Sequence, residues 1–160
     1  MRSIAIPLLA AAALSACSTL SRPQKPQVDV VDLRPAGGTL FRQSFDVTLR
    51  MRNPNNQALR GEGIKFDLKL AGQPFAQGMT QQAISLPALG EQDLTVRVDT
   101  SLNGWLAVAD RLLSRPQAAL DYEVNGTAEG VQGWGSLPFS SRGQWTLPES
   151  LRKRLEAGHP

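Results

Sequence analysis

The amino-acid sequence predicts an all-β fold, an antiparallel β-sandwich of about seven strands with one short helix. Four segments alternate between apolar and polar residues, a period that places one side of a strand in a core and the other in water. Turn-forming residues separate these segments, and one further segment has the periodicity of a helix. Strands with one wet face are typical of antiparallel sheets.

The predicted strands follow this alternation along the chain. The segments with the clearest alternation are 45–52, 64–70, 94–99 and 120–124. Segments with a weaker pattern complete the expected set, namely 28–33, 75–84 and 136–147.

Turn and cap residues predict where these elements begin and end. Asn125-Gly126 predicts a two-residue hairpin, because both central residues of such a turn must accept a positive φ. From Leu102 to Leu113 the apolar residues recur at helical spacing, so we expect one helix there. Asn103 is the expected N-cap. The helix should end before Pro116, which cannot continue it.

The start of the chain has the composition of a secretion signal. Positive residues precede an apolar run from Ile4 to Leu14, and two small residues follow it. This run is shorter than the roughly 20 residues that a spanning helix needs. The tetrapeptide Leu14, Ser15, Ala16, Cys17 resembles the lipobox of bacterial lipoproteins. That resemblance implies cleavage before Cys17 and acylation of its thiol, and the alternative is a buried free cysteine.

These features divide the chain into four parts. We expect a cleaved signal peptide at 1–16, a lipidated N-terminus and tether at 17–27, a sandwich domain at 28–148, and a tail compatible with a short helix at 149–160. The expected partner of the anchor is a membrane, bound through lipid on Cys17. In lipoproteins, Asp after the lipidated Cys tends to retain the protein in the inner membrane. Ser18 in this place favours the periplasmic side of the outer membrane.

Charge is mixed rather than clustered. The chain has 17 basic and 14 acidic side chains, and they alternate along it without the basic stripe of a nucleic-acid-binding protein. The exception is Arg152-Lys153-Arg154. It is read either as the solvated face of a short helix or as a membrane-surface contact.

The sequence contains no recognisable catalytic or metal-binding constellation. Cys17 is the only cysteine, so a mature domain has no disulfide and no thiolate metal site. His159 is the only histidine and lies at the terminus, which leaves no Ser–His or Cys–His pair. We therefore expect no enzyme, no metal and no cofactor. Trp105 and Tyr122 are expected in the core. Trp134 lies between two glycines, where it either marks an exposed binding or membrane-contact site or closes the end of the sandwich.

A motif of three residues, Asn53-Pro54-Asn55, lies between two alternating strands. Further residues at characteristic spacing accompany it, namely Phe45, Val47, Leu49, Ile64, Phe66, Leu68, Gly72, Phe75, Ala76, Gly78, Tyr122, Val124, Gly126, Leu137, Pro138 and Phe139. Together these residues resemble the type-2 late embryogenesis abundant proteins, whose unit is also called the water stress and hypersensitive response (WHy) domain. The resemblance covers roughly residues 28–148, and Asn53-Pro54-Asn55 is its most specific part.

The resemblance implies a sandwich of the fibronectin type III or immunoglobulin kind and a non-enzymatic role in stress tolerance. Asn53 and Asn55 are expected to be structural turn residues, with a ligand site as the alternative. The expected function is a lipid-anchored module that protects envelope proteins or membrane during water stress. The alternative is an accessory lipoprotein that docks on an envelope complex through a strand edge or the helix.

Overall fold

A computed structural model describes residues 23–39, 42–115, 119–149, 152–153 and 157. Within these residues the chain forms nine strands and one helix, and the strands are numbered in chain order. The strands are β1 (Gln27–Gly38), β2 (Gln43–Arg52), β3 (Leu59–Gly61), β4 (Gly63–Leu70), β5 (Gln73–Thr80), β6 (Ile84–Leu86), β7 (Glu91–Thr100), β8 (Leu120–Val131) and β9 (Gly135–Trp145). Helix α1 (Leu102–Ser114) lies between β7 and β8.

The predicted all-β class is confirmed, and apolar alternation is the reason for it. The four clearest segments fall in β2, β4, β7 and β8, and their apolar residues are buried while the intervening residues face outward. In β4, for example, Ile64, Phe66 and Leu68 are buried and Lys65 and Asp67 are exposed. Burying these side chains is the dominant favourable contribution to folding.

A seven-stranded antiparallel sheet, in the order β1-β2-β7-β5-β4-β8-β9, builds the sandwich. Strands β5 and β7 pair only at Ala76–Thr100 and Gln77–Asp99, a connection that we call the seam. The seam divides the sheet into a three-stranded layer and a four-stranded layer. The sheet curls until β1 contacts β9, and one apolar core lies inside it.

The two ends of the sandwich carry different structures. At the N-proximal end, β1 begins at Gln27 opposite the last residue of β2, and the loops at 53–58, 87–90 and 132–134 lie there. A small sheet of β3 and β6 belongs to this end, contacting β8 and β7 respectively. At the opposite end, which we call the helix end, α1 follows Thr100. The ends therefore lie a full strand length apart.

The predicted hairpin at Asn125-Gly126 is wrong, because both residues lie inside β8. Gly126 pairs across the ladder with Phe139, and a Cβ on Gly126 would come within 2.4 Å of that ring. The glycine is therefore required by close packing and not by a turn. The connection from β8 to β9 runs instead through residues 132–134, and Gly133 and Gly135 have the positive φ values there.

Aromatic rings cover glycines at two further cross-strand pairs of the four-stranded layer. Phe66 lies opposite Gly78, and a Cβ on that glycine would come within 2.3 Å of the ring. Tyr122 lies opposite Gly143, with a corresponding distance of 2.6 Å to its hydroxyl oxygen. Each glycine thus makes room for the aromatic ring beside it.

Helix α1 forms where it was predicted, but its N-cap is Ser101 and not Asn103. The Ser101 hydroxyl accepts a hydrogen bond from the Gly104 amide at 3.2 Å, while Asn103 is exposed within the first turn. Gly104 lets the helix approach β5, because a Cβ there would lie 2.8 Å from the Pro74 carbonyl oxygen. Trp105 is half-buried against the core, with its ring centroid 6.2 Å from that of Phe45.

Candidate functional site

The predicted lipidation site lies outside the described residues. This applies to Cys17 and to the rest of the lipobox, Leu14, Ser15 and Ala16. It applies equally to His159. In the C-terminal tail, residues 149, 152, 153 and 157 are helical. The Arg152 amide donates to the Pro148 carbonyl at 3.0 Å, and Lys153 pairs with Glu149 at 2.9 Å.

Asn53 is a buried hydrogen-bonding centre at the N-proximal end. Its side chain is 2% exposed, and Nδ2 donates to the carbonyl oxygens of Gln57 at 2.7 Å and Pro87 at 2.9 Å. Its backbone amide donates to the Gly90 carbonyl at 2.9 Å. Because these partners belong to two separate loops, Asn53 joins the 53–57 loop to the 87–90 turn. The internal partners account for the burial of this amide.

Asn55 extends this network to the start of the described chain. Its amide nitrogen and its Nδ2 donate to Asn53 Oδ1 at 3.0 and 2.9 Å. Its side chain also pairs with the backbone of Gln24: Gln24 N donates to Oδ1 at 2.7 Å, and Nδ2 donates to Gln24 O at 2.9 Å. The Asn55 carbonyl accepts from Leu89 N at 2.9 Å. Pro54 turns the chain between the two asparagines.

Trp134 is half-buried and packs against the core from the loop between β8 and β9. The loop is held to the rest of the N-proximal end, since Gln132 N donates to the Arg60 carbonyl of β3 at 2.9 Å. Of the two interpretations of this residue, packing at the end of the sandwich matches its position.

The outer face of the three-stranded layer is a ladder of paired charges. Arg50 donates twice to Asp93, at 2.8 Å each, and Arg97 donates to Asp46 at 2.9 and 3.0 Å. Arg52 contacts Glu91 at 3.2 Å. These hydrogen bonds hold the pKa of the Asp93 and Asp46 carboxyls below their ordinary value of 3.8, against weaker opposition from desolvation.

The outer face of the four-stranded layer is also charge-paired, with looser geometry. Lys65 lies 3.7 Å from Glu129, and Lys69 lies 4.0 Å from Glu123. Arg142 approaches the same Glu123 at 3.3 Å. A hydrogen bond from Asn125 is the largest cause of a lowered pKa at Glu123. Arg50, Arg52, Lys65, Lys69 and Arg97 therefore each have an acidic neighbour.

The described residues contain no cluster of three or more His, Cys, Asp or Glu side chains placed to hold a metal ion. An open groove of about 590 Å³ lies beside the seam. Two of its carboxylates are bonded to neighbours, Asp67 to Gln77 at 2.8 Å and Asp99 to Ser44 at 2.6 Å. Within the described ranges, no helix has the length and apolar character needed to cross a bilayer.

Sequence reasoning missed the exposed apolar residues. Leu89 is 73% exposed at the tip of the 87–90 turn and has a φ of 54°, which is uncommon for a leucine. On α1, Leu106 and Leu113 are 52% and 55% exposed on the side turned from the core. Leu106 and Leu113 belong to the helical segment that the sequence predicted, but its apolar residues extend beyond the face that packs against the core. Nothing in the sequence indicated the conformation of Leu89.

Several known proteins are similar to this chain. A protein from Arabidopsis thaliana, known by its solution structure, matches 84% of this chain and 89% of its own, with 20% identity and a TM-score of 0.56. A putative late embryogenesis abundant protein matches 79% and 73% with 22% identity and a TM-score of 0.39. A protein from Archaeoglobus fulgidus matches 76% and 98% with 10% identity and a TM-score of 0.43. No curated protein sequence matches the chain.

The first of these likenesses shows the shared fold. The family model described as late embryogenesis abundant protein matches residues 48–143, more than half of the chain. That range contains the buried amide of Asn53 and the aromatic–glycine pairs formed by Phe66 and Tyr122. The chain belongs to the type-2 late embryogenesis abundant family.

Proposed function

We propose that this protein is a lipid-anchored, non-enzymatic module that protects envelope proteins or membrane during water stress. The observation that carries the proposal is the family match over residues 48–143, since the family is related to water stress and its members are generally not enzymes. The charge-paired outer faces give the proposal a second support.

The charge-paired faces supply a physical basis for protection. Arg50, Arg52 and Arg97 each hold an acidic partner on the outside of the sandwich. A surface of this kind stays hydrated because its charged side chains remain partly exposed, while opposite charges cancel locally and give no strong attraction to one charged client. Weak and general contact is what a shield for many proteins requires.

Anchoring at Cys17 is the second component of the proposal. The lipobox-like tetrapeptide ending at Cys17 supports it, as does the apolar segment before it. Ser18 after the lipidated cysteine favours the outer membrane. Mass spectrometry of membrane-extracted protein tests the anchor, and an unmodified N-terminus or a retained 1–16 segment contradicts it. Density-gradient fractionation tests the location, which comigration with inner-membrane markers contradicts.

Suppression of thermal aggregation tests the protective role. We expect the domain from Ser18 to Pro160 to protect a model enzyme at a near-stoichiometric ratio, beyond the effect of an inert sandwich protein of equal size. Absence of protection, together with unchanged desiccation survival of a deletion strain, contradicts the role.

The exposed leucines of α1 favour a second candidate function, that of an accessory lipoprotein bound to one envelope complex. Leu106 and Leu113 lie on the outer side of the helix, where a partner could cover them. Here a pull-down of the native protein should recover one stoichiometric partner, and Leu106→Ser with Leu113→Ser should lose it. Met79→Ser is the matched control, because Met79 is 64% exposed but lies on β5.

A further inference from the structure

Two hydrogen bonds join the side chain of Asn55 to the backbone of Gln24. The backbone amide of Gln24 donates to Asn55 Oδ1 at 2.7 Å, and Asn55 Nδ2 donates to the Gln24 carbonyl at 2.9 Å. A carboxamide that bonds a backbone in both directions imitates the pairing of a neighbouring strand. We call this pair the clasp.

The clasp is connected to the body of the domain on both sides. Asn55 is held by Asn53 Oδ1, and Asn53 is buried. Pro26, two residues after Gln24, is itself buried and lies beside Met51 and Leu59. Gln24 is therefore fixed at one defined point of the N-proximal end.

Leu89 lies next to this point. Its amide donates to the carbonyl of Asn55, so the 87–90 turn is bonded directly to the residue that forms the clasp. The leucine side chain extends into solvent from that turn. An exposed apolar side chain beside the origin of a lipid-bearing segment is placed to meet the same membrane as the lipid.

The length of the segment between Cys17 and Gln24 limits how far the clasp can lie from the lipid. Cys17 precedes Gln24 by seven residues, which reach at most about 25 Å when fully extended. Strand β1 has 12 residues and at ~3.3 Å per residue spans roughly 40 Å. The helix end therefore lies farther from the clasp than the tether is long.

We propose that the clasp orients the sandwich on the membrane, with the N-proximal end and Leu89 facing the phospholipid surface and α1 facing away. The inference rests on the proposed anchor at Cys17. It assigns Asn55 the role of a positioning residue and makes the phospholipid surface the partner of the 87–90 turn. The exposed face of α1 is then turned toward soluble proteins.

The three tryptophans of the chain permit a direct test. Trp134 belongs to the N-proximal end, whereas Trp105 on α1 and Trp145 at the end of β9 belong to the helix end. Variants with a single tryptophan, at 134 or at 105, are made by Trp→Phe substitution. The lipidated protein is placed in phosphatidylcholine–phosphatidylglycerol vesicles that contain a dansyl-labelled headgroup. We expect several-fold more efficient energy transfer from Trp134 than from Trp105, and equal transfer overturns the orientation.

Release of the clasp tests the role of Asn55. Asn55→Ala should bring the two transfer efficiencies together, whereas Asn56→Ala, at an exposed neighbour in the same loop, should preserve the difference. If Asn55→Ala does not fold, the wild-type clasp is tested by an environment-sensitive dye on Leu89→Cys. We expect a blue shift on vesicles there and none at Leu113→Cys on α1, and the opposite order overturns the proposal.

Different experimental results contradict the proposed anchor and the proposed orientation. Protein that is not acylated in cells contradicts the anchor. The chain from Cys17 onward can then be coupled through its single thiol to a maleimide lipid in the same vesicles. More efficient transfer from Trp134 than from Trp105 in this arrangement supports the clasp without the native lipid. Equal transfer, or more transfer from Trp105, overturns it.

Discussion

The Asp93 carboxylate accepts two hydrogen bonds from the Arg50 guanidinium, both at 2.8 Å, across the β2–β7 ladder. Antiparallel register places these residues directly opposite one another. Arg97 and Asp46 repeat the arrangement four residues away on each strand. Cross-strand pairs of opposite charge support the register of a sheet, so the ladder has a structural role besides hydration.

Acid should weaken the sandwich through these carboxylates. The folded-state pKa values of Asp46 and Asp93 lie below the ordinary value of 3.8. Their contribution to stability is therefore complete above that value and is lost as the pH falls through the lowered folded values. We expect the urea midpoint to fall as the pH is reduced below about 4. The double variant Asp46→Asn, Asp93→Asn should show a shallower acid slope, and an unchanged slope contradicts the assignment.

Loss of the Asn53 amide should destabilise the domain strongly. Asn53→Ala removes the hydrogen bonds that the side chain donates to Gln57 and Pro87 and accepts from Asn55, and each such bond contributes about 0.5–1.5 kcal/mol. The measurement is the free energy of unfolding in urea. Asn56→Ala is the control from the same loop and should have almost no effect. Equal effects for the two variants would show that the buried network contributes nothing.

Filling the space under the Phe66 ring should also destabilise the domain. Gly78→Ala forces the ring away from its position, and overpacking of this kind costs about 1–3 kcal/mol. The penalty should shrink when Phe66→Leu removes the ring, because the added methyl group then has room. A double-mutant cycle measures the coupling. A penalty that is the same in both backgrounds would place its origin elsewhere.

The N-cap of α1 predicts different effects of substitution at Ser101 and at Asn103. Ser101→Ala should reduce stability by about 1 kcal/mol, because the Gly104 amide loses its acceptor. Asn103→Ala should change it by less than about 0.5 kcal/mol, as expected for an exposed position. Unfolding in urea provides both values, and a larger loss at Asn103 would reverse the assignment of the cap.

The strands could be predicted because their burial alternates residue by residue. Ile64, Phe66 and Leu68 are core residues for the same reason that makes them visible in the sequence. The hairpin prediction at Asn125-Gly126 was wrong because a glycine that makes room for Phe139 cannot be told in the sequence from a glycine that forms a turn. Local sequence does not distinguish these causes, since only the strand pairing brings the ring to the glycine.

The candidate site was predictable in part. Asn53-Pro54-Asn55 stood out as a turn motif, and the chain bends there. The partners of these side chains were not predictable, because Gln24 and Pro87 are separated from them by about thirty residues of sequence and come close only through the fold. The exposed Leu89 depends on the same long-range bonds.

The seam has a consequence for the evolution of this fold. Only Ala76–Thr100 and Gln77–Asp99 join the two layers by strand pairing, so contact between them depends mainly on apolar packing, which has no required direction. Substitutions inside the core can therefore be absorbed by small sliding of one layer over the other, without breaking a long ladder of hydrogen bonds. This tolerance is consistent with a fold that persists in the Arabidopsis protein at 20% identity.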